Sequence, residues 1–293
     1  RPVPHRGRCP RAVPAWAAAP APPPGPPVPL HLSCPMSVKT LFQLDGKVAL
    51  VTGGSRGLGL QMAEALGEMG CRLVLAARKA DELAEARAHL QGLGIGDVLT
   101  VPSDLQRPEH ITQLVTQALE RFGQVDVLVN NAGANWAAPA EDFPDEAWHK
   151  VMNLNVTAPF FLSREVGKRS MLPRRQGKII NIASTGGLKG TAKGVTTVAY
   201  NTSKAAVINF TRTLAAEWGP HNINVNAICP GYFQSKMTAG LLDRIQDAVI
   251  ARTPLGRIGG DEDLKGTVVY LASDASRHVT GQHIPVDGGS CIV

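Results

Sequence analysis

No apolar run in this chain of 293 residues approaches the roughly 18 residues that a membrane-crossing helix needs, so a helical span is excluded. Cysteine is scarce, with five residues. Cys9 and Cys34 fall in the first 35 positions; Cys71, Cys229 and Cys291 stand isolated in apolar sequence, at no metal-ligand spacing. No metal is expected, and three unpaired thiols suit a reducing, cytoplasmic compartment. Aromatic residues make up 5% of the chain, and no basic run is interleaved with them, which argues against nucleic acid as a partner. Acidic residues are missing from the first 35 positions, which hold four Arg and 12 of the 22 prolines. Such a segment cannot bury apolar surface and is expected to be a disordered extension over 1–35. It has neither the apolar stretch of a secretory signal nor the Ser-rich amphipathic helix of a transit peptide. Globular patterning begins at Met36, which reads as the natural start of a folded domain over 36–293. Of the formal charge of +6, the four arginines of the extension supply +4. The remaining +2 carries no argument about partners.

What the chain does have is alternation. Short runs rich in Val, Ile and Leu read as strands covered on both faces: "KVALVT" (47–52), "RLVLAA" (72–77), "VLTVP" (98–102), "VDVLVNN" (125–131), "KIINIAS" (178–184), "INVNAICP" (223–230) and "HIPVD" near the end. Between them lie helix-patterned stretches such as "LGLQMAEALGEMG", "ADELAEARAHLQG", "PEHITQLVTQALERFG", "SKAAVINFTRTLAAEWG" and "DEDLKGTVVYLASD". Strands alternating with helices imply an α/β fold, a Rossmann-type doubly wound parallel sheet of about seven strands with helices on both faces.

The first strand runs directly into "TGGSRGLG" (52–59), where a helix begins. Glycines in such a turn let backbone approach a diphosphate, and the helix start directs free N–H groups at the anion. Gly53, Gly57 and Gly59 follow a G-x-x-x-G-x-G spacing at the place where dinucleotide binding needs it. An Asp or Glu at the end of the second strand would bind a free ribose 2′-hydroxyl and repel a 2′-phosphate. None occurs from Leu73 through Lys79, whereas Arg78 follows the strand and Arg56 projects from the glycine turn. Guanidinium groups there favour NADP(H), with NAD(H) left open.

Further along, "YNTSK" places Tyr200 one helical turn before Lys204, behind a strand ending in "NIAS". With "NNAG" (130–133), "LNV" around Asn155 and "PG" (230–231), these motifs resemble the short-chain dehydrogenase/reductase family over residues 44–290. The resemblance implies that Tyr200 is the general acid/base. Lys204 would lower its pKa and bind the nicotinamide ribose, Ser184 would hydrogen-bond the substrate oxygen, and Asn155 would support a water relay. A free Tyr titrates at about pH 10, and lowering that by about three units takes about 4 kcal/mol of differential stabilisation. The resemblance also assigns cofactor contacts to Thr52, Ser55, Leu58, Asp104 and Leu105 as well as the glycines. Asn131, Ala132, Gly133, Pro230 and Gly231 complete that set. Thr52 could instead tie backbone together, and Asp104 could cap the next loop. Ser184 and Tyr200 lie 16 residues apart, about three more than is usual in the family, and the extra length within 185–199 is expected to bulge outward. Thr185 is a competitor for the serine role.

Substrate contacts are expected from loops at the strands' carboxyl ends, 134–148, 185–199 and 231–253. Trp136, Phe143, Trp148, Tyr232, Phe233 and Met237 are candidates to line an apolar cavity. The stretches "NNAGANWAAPAEDFPDEAWHKVMNLNVT" and "PGYFQSKMT" are similar to NADPH-dependent 3-oxoacyl-[acyl-carrier-protein] reductases, which implies an acyl carrier protein or CoA thioester. Arg175 matches a basic carrier-docking position and His221 stands at a second. The opening "LFQLDGKVALVTGGSRGLGLQMAEALGE" is similar to gluconate 5-dehydrogenases, which act on a polyol or keto-sugar. A catalytically silent nucleotide-sensing scaffold is the alternative of another class. The family resemblance further implies a homotetramer, built on apolar faces within 151–172 and 200–218.

Overall fold

The computed structural model describes residues 37–191, 194–235 and 238–293. The expected extension over 1–35, the Met36 start and the candidate Met237 lie outside the described residues. Seven strands form one sheet: β1 (Val48–Thr52), β2 (Arg72–Ala77), β3 (Val98–Pro102), β4 (Val127–Asn130), β5 (Gly177–Ile182), β6 (Ile223–Pro230) and β7 (His283–Val286). Their order is β3-β2-β1-β4-β5-β6-β7, and each neighbouring pair is parallel. The order reverses between β1 and β4, so the crevice outside their carboxyl ends is the switch point where open α/β sheets bind ligands.

The helices are α1 (Val38–Leu41), α2 (Gly57–Glu68), α3 (Ala80–Gly92), α4 (Pro108–Phe122), α5 (Asp145–Met152), α6 (Ala158–Val166), α7 (Leu172–Arg174), α8 (Val198–Trp218), α9 (Ala239–Arg252) and α10 (Lys265–Ala272). β1 shows why both sheet faces must be covered. Successive side chains point to opposite faces. Ala49 and Val51 join Met62 and Leu66 of α2, Leu83 of α3 and Val268 of α10. Val48 and Leu50 join Leu114 of α4, Leu162 of α6 and Leu214 of α8. All five β1 residues are buried, which explains the unbroken apolar run. Each large side chain so placed contributes roughly 1.5–3 kcal/mol.

Several boundaries move by one or two residues, and three expectations change by more. α8 begins at Val198, five residues before the expected "SKAAVINF", so Tyr200 lies inside the helix. α10 begins at Lys265, because the Asp263 carboxylate is held in the preceding turn by Gly260 N at 2.7 Å and by Arg257. The stretch 151–172 is not one uniform helix: π-turns at Asn153–Thr157 and Gly167–Met171 flank α6. No helix among the described residues is long and apolar enough to cross a membrane.

Candidate active site

At the end of β1 the chain turns through Gly53 (φ +62°) and Gly57 (φ +53°), backbone conformations that side chains disfavour. Gly59, in the first turn of α2, approaches so closely that a Cβ there would lie 2.1 Å from the Gly53 carbonyl oxygen. Thr52 Oγ1 accepts from the N–H groups of Asn131 and Ala132, both at 3.0 Å, and donates to Val129 O. Asn131 Nδ2 returns hydrogen bonds to the carbonyls of Thr52 and Gly53 at 2.9 and 3.2 Å. These bonds lock the ends of β1 and β4 and leave a narrow cradle of bare backbone. That cradle suits a diphosphate, which accepts N–H groups and tolerates no intervening side chain.

A cleft of about 670 Å³ extends from this turn. One end is walled by Ser55, Arg56, Gly57, Leu58, Arg78, Lys79 and Glu82, and its flank by Asp104 and Leu105. Asn131, Ala132 and Gly133 line the middle; Ser184, Tyr200, Lys204, Pro230 and Gly231 line the far end. Gly53 and Gly59 also border it. Thr52 is the one expected cofactor residue that is not in the wall, being 1% exposed and taken up by its three backbone bonds. Asp104 lines the cleft and also caps its own loop, accepting from Gln106 N at 3.2 Å.

At the far end, Lys204 Nζ donates to Ile182 O at 2.7 Å and lies 5.6 Å from the centre of the Tyr200 ring. A Cβ on Gly133 would stand 3.7 Å from that Nζ, in ordinary contact with it. Gly187 permits a close approach: a Cβ there would lie 2.6 Å from the Lys204 carbonyl carbon. The short turn Thr185–Gly187 thus sits directly on α8. Ser184 caps it, accepting from Gly186 N at 3.0 Å, while its hydroxyl hydrogen-bonds the Tyr200 phenol. The long connection after Ser184 leaves the Ser184–Tyr200 pair intact. Thr185 is buried beside it. Asn155, in the first π-turn, accepts from Ala134 N at 2.8 Å and donates to Ala134 O and to Ser203 Oγ, both at 2.9 Å. Its side chain is wholly committed to holding the chain after β4 against α8, and it does not reach the cleft wall.

The expected lowering of the Tyr200 pKa is not what the structure shows. Burial pushes the phenol above its usual value and outweighs the Ser184 hydrogen bond, which acts to lower it. Lys204 is itself brought down to about 8 by burial. The reason is common to both: neither charged form is well solvated between the sheet and α8. Beneath them, Cys229 is fully buried, and its thiol is pushed up to about 11, chiefly by burial.

A second cavity, about 1010 Å³, opens from the same point and shares Ser184, Tyr200, Gly231 and Thr238 with the cleft. Its walls come from the expected loops after β5 and β6, but the expected aromatics do not supply them. Tyr232 alone of that group lines the cavity. Phe143 and Trp148 pack edge-to-face with ring centres 6.4 Å apart, Trp136 is 45% exposed beneath Lys150, and Phe233 is buried against Gly259. Ile245, Ala248 and Val249 of α9 form the apolar wall instead, and Lys189, Arg252 and the terminal Val293 border it. Lys189 Nζ donates to Ser290 O, tying the long loop to the chain terminus. Sequence patterning pointed to the loops but not to these side chains, and residues 290–293 gave no signal.

Arg175 and His221, the expected carrier-docking pair, are brought close to each other. Arg175 Nη2 donates to Pro220 O at 2.7 Å, and Asn222 Nδ2 to Arg175 O at 3.1 Å. They lie at the amino end of β5, opposite Ser184 and separated from it by the six-residue strand, roughly 20 Å.

A parallel sheet with a diphosphate cradle at its switch point, and a Ser-Tyr-Lys group between that cleft and a cavity, defines a dinucleotide-dependent oxidoreductase of alcohols and carbonyls. Comparison with known proteins is specific. A family model described as enoyl-(acyl carrier protein) reductase matches residues 53–290. A 2-dehydro-3-deoxy-D-gluconate 5-dehydrogenase of Escherichia coli is 41% identical over 86% of this chain and 98% of that protein. A rhamnolipids biosynthesis 3-oxoacyl-[acyl-carrier-protein] reductase of Pseudomonas aeruginosa is 39% identical over 85% of this chain and 97% of that protein. The crystal structure of a gluconate 5-dehydrogenase from Burkholderia cenocepacia, in complex with NADP and tartrate, superposes with a TM-score of 0.81 at 34% identity, covering 87% of this chain and 98% of that one. The chain belongs to the short-chain dehydrogenase/reductase family.

Proposed function

We propose that the protein is an NADP(H)-dependent reductase of ketones, and that a 3-oxoacyl thioester is its substrate. The observation that carries this reading is the meeting of the nucleotide cleft and the large cavity at Ser184 and Tyr200. A bound nicotinamide supplies the hydride that a carbonyl carbon needs. Everything else falls to the chain. The Gly53–Gly59 cradle holds the diphosphate. Arg56, Arg78 and Lys79 line one end of the cleft and would pair with a 2′-phosphate there. Ser184 hydrogen-bonds the carbonyl oxygen and Tyr200 donates the proton that the oxygen takes up. A phenol whose pKa is raised is fully protonated at neutral pH and so is ready to donate. Lys204, which lines the cleft, would hold the ribose and stabilise the phenolate left behind. Asn155 acts as a positioning residue, with any water relay passing along the main chain of its π-turn, because its side chain is occupied.

The apolar wall of α9 favours an acyl chain. Carrier recognition at Arg175 is not part of this reading, since that patch faces away from the cavity of its own chain. A second reading, a keto-sugar acid, rests on Lys189 and Arg252 at the cavity border, which would pair with a carboxylate. The protein is further proposed to be cytoplasmic and to assemble as a homotetramer through α6 and α8.

The test is NADPH consumption with acetoacetyl-CoA and, separately, with 5-ketogluconate, each beside a Tyr200→Phe control. Turnover of the thioester alone supports the first reading, and turnover of the sugar acid alone replaces it with the second. NADPH binding without turnover of either, or of a wider ketone panel, favours the silent scaffold.

A further inference from the structure

The adenosine end of the cleft contains a carboxylate that the NADP(H) reading does not use. Glu82, in the first turn of α3, reaches back between Arg56, one of the two arginines expected to favour a 2′-phosphate, and Lys79, next to the other. Its Oε1 lies 2.9 Å from Arg56 Nη1 and 3.1 Å from Lys79 Nζ. Its Oε2 accepts from Ser55 Oγ at 3.4 Å. One carboxylate therefore gathers a guanidinium, an ammonium and a hydroxyl, the donor set that recognises phosphate oxygens. The Glu82 side chain is 20% exposed, against 51% for Arg56 and 60% for Lys79, so the acid is the fixed member and the cations close over it.

Resting on the NADP(H) reading, we propose that Glu82 is the specificity-determining residue of the cofactor site: an internal anion that competes with the ribose 2′-phosphate for Arg56 and Lys79. A 2′-phosphate carries a charge of about −1.5 to −2 near neutral pH. To pair with the two cations it displaces the carboxylate from them, yet the helix keeps that carboxylate close, where like charges repel. A cofactor with a free 2′-hydroxyl pays neither cost, because the hydroxyl donates to an acid already in place. Glu82 thus restrains the preference for NADP(H) that the missing strand-end acid creates, and the site accepts both dinucleotides.

The direct test is Glu82→Gln, which keeps size and removes charge. Binding of 2′,5′-ADP and of ADP, followed by calorimetry, isolates the adenosine end from the chemistry. The expected result is a Kd for 2′,5′-ADP about tenfold lower than in the unaltered protein, an advantage that shrinks between 50 and 500 mM salt as screening weakens charge contacts. ADP affinity is expected to stay level or fall slightly, and NADPH and NADH, followed by cofactor fluorescence, to repeat the pattern. Glu82→Asp, whose shorter acid cannot span both cations, is expected to fall between. If Glu82→Gln weakens 2′,5′-ADP, the acid organises the cations for phosphate and the proposal is overturned; an unchanged ratio overturns it equally. A Glu82→Gln protein that still does not favour 2′,5′-ADP over ADP would instead count against the NADP(H) reading itself.

Discussion

At the scale of single residues, burial governs both Tyr200, the proposed proton donor, and Lys204 beside it. Because the Tyr200 pKa lies above its usual value, the phenol donates over the whole neutral range and becomes a base only in alkali. Ketone reduction is therefore expected to be level across neutral pH and to decline on the alkaline side, whereas alcohol oxidation climbs toward alkaline pH. Initial rates in both directions from pH 6 to 11 check this; equal optima would contradict it. Tyr200→Phe is expected to reduce kcat about 10³-fold, within the usual range for removal of a general acid, while leaving the Kd for NADPH nearly unchanged. Lys204 makes a stability prediction whose sign can be worked out. Its amine is brought from 10.5 to about 8 on folding, so between those values the unfolded chain binds more protons than the folded one. Stability from this group therefore rises with pH through that window, and below it the full burden, about 3 kcal/mol, is carried. In urea titrations at pH 7 to 10.5, any advantage of Lys204→Met over the unaltered chain is expected to shrink as pH rises. A gap independent of pH would show that Lys204 titrates normally.

At the scale of elements, the site is set by close approaches that only glycine allows. The turn Thr185–Gly187 rests on α8 with no room for a side chain, and this fixes Ser184 against Tyr200. Gly187→Val is expected to push the turn off α8 and lower kcat by at least about tenfold, the order of loss that slight misplacement of reacting groups causes. NADPH affinity is expected to fall less, since the Gly53–Gly59 cradle is untouched. The ratio of the two effects, from steady-state rates and fluorescence titration, makes the measurement. The local patterns that placed these elements were legible. β2, β3, β6 and α3 lie where the short apolar runs and the helical periodicity put them, because those patterns depend on neighbours within a few residues. The starts of α8 and α10 were less so, since Thr197 bonds the Asn201 side chain across the first turn of α8, and Asp263 and Arg257 hold backbone in the turn before α10.

For the whole molecule, the proposed assembly would use an aromatic surface on α6. Phe160 on α6 is 42% exposed, with its ring 5.6 Å from Phe161 and 6.1 Å from Phe210 of α8. An aromatic group shared by two helices and open to solvent is the kind of surface that interfaces bury. Light scattering is expected to give four times the chain mass of 31.0 kDa, and Phe160→Glu to give a smaller species. A chain beginning at Met36 is expected to keep full activity, as the E. coli relative is matched over 98% of its length by 86% of this chain. A monomeric unaltered protein, or a shortened chain without activity, would contradict these expectations.

By itself the sequence determined the order of strands and helices, the glycine cradle, and the pairing of Tyr200 with Lys204. Each is written in residues close together along the chain, where periodicity and turn stereochemistry act. The tertiary structure alone decided which side chains of the expected 231–253 segment, those of α9, wall the cavity together with the chain terminus, in place of Trp136, Phe143 or Trp148. It alone placed Glu82 between Arg56 and Lys79, and it alone set the direction of the Tyr200 pKa. Cavity shape, ion pairing and desolvation sum over groups that are distant in sequence, and no local pattern encodes such a sum.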